Sequence, residues 1–141
     1  MKNYRVRRPK EYDELLNLMR DKEFGVFATL KSALVFSASV GFKEGIKREF
    51  SESAEPIAFT LFNEHHDQPF VYVMALTAFN DVKYLREDFF SETIRLFEEY
   101  AAGGLEYLDD YLDKSNMKES IEVLLSDTES NGLIDDLAAD W

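Results

Sequence analysis

The chain has 141 residues, no cysteine and a formal net charge of −12, with 45% hydrophobic and 14% aromatic residues. That is long and apolar enough for one buried core, which excludes a disordered chain as its main body. The lack of cysteine excludes disulfides, thiolate metal sites and cysteine nucleophiles, and points to the cytoplasm. The charge is unevenly spread: residues 1–50 carry 11 Lys/Arg against 7 Asp/Glu, and residues 51–141 carry 5 against 21. A basic third joined to an acidic remainder suggests two faces with different partners, although acidity is also the ordinary way to keep an aromatic-rich chain soluble. The basic residues after Met1 lead into no apolar signal core, and no stretch approaches about 18 uninterrupted apolar residues, so neither secretion nor a membrane partner is expected.

The chain opens with MKNYRVRRP. A residue before proline is pushed out of the α region, so Arg8 should be extended and a helix should start near Pro9. That helix runs from about Lys10 to Arg20, with Tyr12, Leu15, Leu16 and Met19 on one face. The arm before it offers Arg5, Arg7, Arg8 and Lys10 as candidate phosphate contacts, against the plainer reading of a frayed terminus.

The most apolar run lies between Phe24 and Phe42, and Thr29 is a suitable N-cap for a helix over 30–47. Its apolar residues lie almost all round, so it must be covered on most sides by its own chain or by a partner. Ser37, Gly41 and Gly45 recur every fourth residue, and a second backbone can approach closely along such a row. They are therefore the candidate self-association surface of a homo-oligomer.

Residues 48–56 read as a loop. Ile57 to Phe62 reads as a short strand, and the stretch to Leu76 is β-rich enough that a strand or hairpin competes with a helix near Phe70–Phe79 capped by Asp67. From about Asp88 a long helix begins. Phe90, Ile94, Phe97, Ala101, Leu105, Leu108 and Leu112 form its core-facing stripe. Gly103-Gly104 interrupts that stripe at a cost of roughly 2 kcal/mol relative to alanine, so either the helix breaks there or its backbone passes very close to something. Asn116 with Glu119 resembles a capping box ahead of a helix over 117–126 with Ile121, Leu124 and Leu125 inward.

SDTESNG then reads as a linker, and the chain closes on LIDDLAADW. Leu133, Ile134, Leu137 and Trp141 share one side of a helical pattern and Asp135, Asp136 and Asp140 the other. This is a candidate docking segment that either folds back on its own domain or seeks a basic-rimmed apolar groove elsewhere. The resulting architecture is mainly α. A compact helical domain fills 1–126, with a central buried helix 30–47 and a short strand or hairpin near 57–76, and 127–141 form a linker and an acidic amphipathic tail.

Chemistry is sparse. Glu64-His65-His66-Asp67 holds both histidines but has no HExxH spacing, so a polar surface loop is favoured over a metal site. No G-x-S-x-G elbow, Walker loop or dinucleotide fingerprint is present. Among 28 acidic residues chance carboxylate pairs are certain, so pairs such as Asp109-Asp110 and Glu98-Glu99 say little about a metal-dependent nuclease. Lys31, Lys43 and Lys47 spread over roughly 160° of a helix and make no tight basic stripe. No catalytic, cofactor-binding or metal-binding residue is assigned, and no cofactor is expected.

Three stretches carry a resemblance: Arg8-Pro9-Lys10-Glu11, the block FATLKSALVFSASVGFKEG from Phe27 to Gly45, and FEEYAAGGLEYL from Phe97 to Leu108. In order and spacing they resemble the bacterial DNA phosphorothioation (dnd) system-associated protein 4 family over about residues 5–112, and the segment after Asn116 lies outside that resemblance. The resemblance implies an accessory component of a system that places sulfur in the DNA backbone or restricts DNA lacking it. Protein partners of a modification or restriction complex are then expected, with DNA touched weakly or through them. Two other classes stay open: a small metal-dependent nuclease, and an acidic regulator or DNA mimic.

Overall fold

The computed structural model describes residues 3–127. The expected docking segment, with Leu133, Ile134, Leu137 and Trp141, therefore lies outside the described residues. Five helices and a two-stranded ribbon make up the architecture, which is mainly α: β1 (Arg5–Val6), α1 (Asp13–Met19), α2 (Leu30–Glu44), β2 (Ile57–Ala58), α3 (Asp67–Phe79), α4 (Phe90–Tyr111) and α5 (Met117–Asp127).

The centre of the molecule is α2 crossed by α4. Thr29 starts α2 as expected, with its side-chain oxygen accepting from the Ser32 N–H. The helix stops at Glu44, three residues short of the expected end, because Gly45 takes a left-handed φ of 71° and turns the chain back. Every residue from Ser32 to Gly41 is buried within the single chain. The buried hydroxyls of Ser37 and Ser39 are satisfied locally, donating to the carbonyls of Ala33 and Phe36.

The stripe read along α4 is the buried one, from Phe90 through Phe97 and Leu105 to Leu112. The paired glycines do not break this helix, which runs 22 residues without interruption. They answer instead to a close neighbour. A Cβ on Gly104 would meet the Ser37 carbonyl, one on Gly103 the Ile46 carbonyl, and one on Gly41 the Tyr100 carbonyl. Ser37 meets Gly104 while Gly41 meets Tyr100, so the two helices cross in an antiparallel sense.

Residues 3–9 are not a free arm. β1 pairs antiparallel with β2, Arg5 opposite Ala58 and Val6 opposite Ile57, and the ribbon continues through a bridge between Pro9 and Ser53. The strand expected near 57–76 thus shrinks to two residues, and its partner comes from the N-terminus. The ladder ends at Phe59, where a 3-10 turn begins, and α3 starts at Asp67. Phe90 holds these parts together: its ring packs against Tyr4 beside β1 (4.6 Å between centroids), Phe59 (4.9 Å) and Tyr72 of α3 (5.3 Å). Among the described residues, no helix is long and apolar enough to cross a membrane.

Candidate functional site

The expected phosphate contacts sit on or beside β1, and the ribbon decides where their cations go. Strand alternation sends Val6 into the core, where it is 1% exposed, while Arg5 and Arg7 face outward. Arg7 meets Glu98, a buried carboxylate on α4. The Arg7 backbone N–H donates to Glu98 Oε2 at 2.7 Å, and its guanidinium donates twice to Oε1, at 3.1 and 3.0 Å. The same guanidinium lies 4.7 Å from the Phe50 ring centre. Arg8 is buried, donating from Nε to the Glu55 carbonyl at 2.8 Å and pairing with Asp13. Only Arg5 and Lys10 remain exposed, and Arg5 makes a loose 3.6 Å pair with exposed Glu55. Two of the four candidate phosphate contacts therefore spend their charge on internal acceptors.

The central row is likewise occupied from within. Gly41 and Ser37 face α4 at backbone-contact distance, so the close approach expected along this row is made by the chain's own helix. Gly45 is exposed, with no atom near the position of a Cβ, and serves as the helix cap.

Two further charge clusters tie the elements together. Lys31 on α2 donates to Asp67 at 2.6 Å, and the other end of that contact also accepts the Asn63 N–H at 2.8 Å. Asp67 was expected as an N-cap; it is instead the first residue of α3, 1% exposed, and holds the preceding loop by its carboxylate. Arg48 bridges Glu11 (2.8 Å) and Glu106 (3.4 Å) and donates to the Tyr12 hydroxyl. The hydrogen bond to Glu11 raises the pKa of Arg48. Burial raises the pKa of Tyr12, a rise that the nearby Arg48 charge partly opposes.

Three surface features of the described residues bear on function. An open cleft of about 520 Å³ lies over β1 and α4, where Arg5, Arg7 and Arg95 face Glu49, Glu98 and Glu99. Three cations matched by three carboxylates make no focused positive field for a phosphate backbone. A more apolar groove of about 410 Å³ lies between the first turn of α2 and β2, lined by Leu30, Pro56, Ile57, Ala58 and Leu61, with Arg5, Arg8 and Lys31 at its edges. Beyond the end of α3, the rings of Phe79 and Tyr84 stack at 4.1 Å, and the 3-10 turn at Val82–Leu85 leaves Val82 75% and Leu85 52% exposed.

The sequence reading missed the last two features. Val82 and Leu85 sit in NDVKYLRED, which reads as a turn, and the groove joins segments about 30 residues apart. The His65-His66 pair is exposed, and Asn63 Oδ1 accepts both backbone N–H groups. Among the described residues, no three His, Cys, Asp or Glu side chains gather as a metal site.

The model of one family, described as DNA sulphur modification system-associated protein 4, matches residues 5–138 of the chain. The match extends past the resemblance read over 5–112 and takes in α5 and most of the acidic tail. No curated protein and no solved structure matches.

Proposed function

The chain belongs to this family of DNA sulphur modification system-associated proteins, and on that premise we propose that it serves such a system as a non-enzymatic accessory protein working through protein partners. The observation that carries this reading is the pairing of Arg7 and Arg8 with acceptors of the protein's own fold. With those guanidiniums tied to Glu98, Asp13 and the Glu55 carbonyl, the outer surface of a chain of net charge −12 offers little to a DNA backbone. It does offer apolar contact area. Val82, Leu85 and the Phe79–Tyr84 stack lie at and just beyond the C-terminal end of α3, and exposed aliphatic and aromatic side chains of this kind suit a protein partner.

The test is co-purification of the system's own DNA-handling proteins with tagged wild type and with a Val82→Asp/Leu85→Asp double variant. Both side chains are more than half exposed, so the double variant should fold normally. Capture by the wild type and its loss in the variant is the expected result. Tight binding of duplex DNA by the isolated protein at physiological salt, with no such capture, would overturn the proposal.

A further inference from the structure

We draw no further inference here: the strongest candidate, the apolar groove lined by Leu30, Ile57 and Leu61 between the first turn of α2 and β2, carries nothing, because its rim cations Arg5, Arg8 and Lys31 are already paired with Glu55, Asp13 and Asp67 and nothing in the structure shows what covers it.

Discussion

A Cβ placed on Gly104 would stand 1.7 Å from the carbonyl oxygen of Ser37. One on Gly41 would stand 2.0 Å from the carbonyl oxygen of Tyr100, so the α2/α4 crossing is a backbone-on-backbone contact at both helices. Intrinsic propensity alone would favour alanine over glycine inside a helix by about 1 kcal/mol. Here the neighbour is backbone and cannot rotate away.

Gly104→Ala is therefore expected to destabilise by about 3 kcal/mol or more, since the helices must move apart over their whole contact. That corresponds to a fall in Tm of about 10 °C for a domain of this size. Gly45→Ala, where only the left-handed backbone is at stake, should cost about 1 kcal/mol. Thermal melts of the two variants check the order, and a stabilised Gly104→Ala would refute the close crossing.

The Arg7–Glu98 pair predicts a non-additive cycle. Glu98 is only 4% exposed, so Arg7→Met strands a buried carboxylate. With Arg7 itself part-exposed, the expected cost is about 2 kcal/mol rather than the full penalty of a buried pair. Adding Glu98→Gln removes the stranded charge while keeping an acceptor for the Arg7 N–H, and should recover part of the loss. Urea unfolding of both singles and the double measures this; simple additivity would show that the pair does not act as a unit.

Lys31 and Asp67 should behave similarly, with a larger penalty on the acidic side. Asp67→Ala removes the partner of Lys31 and also the acceptor of the Asn63 N–H. Asp67→Asn keeps the second contact. Asp67→Ala is expected to cost about 1 kcal/mol more than Asp67→Asn in the same unfolding experiment.

The pH dependence has a definite sign on the alkaline side. Burial raises the Tyr12 phenol above its ordinary value of 10.0, so the folded state holds its proton more tightly than the unfolded chain. That contribution is fully present below pH 10 and is lost as pH rises through the folded pKa. Tyr12→Phe should flatten the decline of Tm above pH 10. Tyr72, raised by its own burial, will leave part of that decline in place. An alkaline limb identical to that of the wild type would exclude Tyr12 as a contributor.

Much of the fold was legible because helix periodicity is a local property. The α4 stripe, the Thr29 cap and the all-round burial of α2 each follow from residues within one or two turns of one another. Even the choice posed by Gly103-Gly104 was correctly framed as a broken helix or a close approach. Which branch holds depended on Ser37 and Ile46, more than 55 residues away, and no periodicity reports on them.

The arm shows the same division more sharply. Its composition placed Arg5, Arg7, Arg8 and Lys10 close together in the sequence, and Pro9 made the chain extended there. Composition gives a cation's presence, and its availability depends on what lies beside it. Glu98 and the Glu55 carbonyl came to Arg7 and Arg8 only through the β1–β2 ribbon and the packing of α4 beneath it. Charge, caps and apolar stripes were thus determined by the sequence itself. The spending of those charges and the meeting of the glycine rows were decided by the tertiary structure, because both depend on partners distant in the chain that only the packed core brings within a few ångströms.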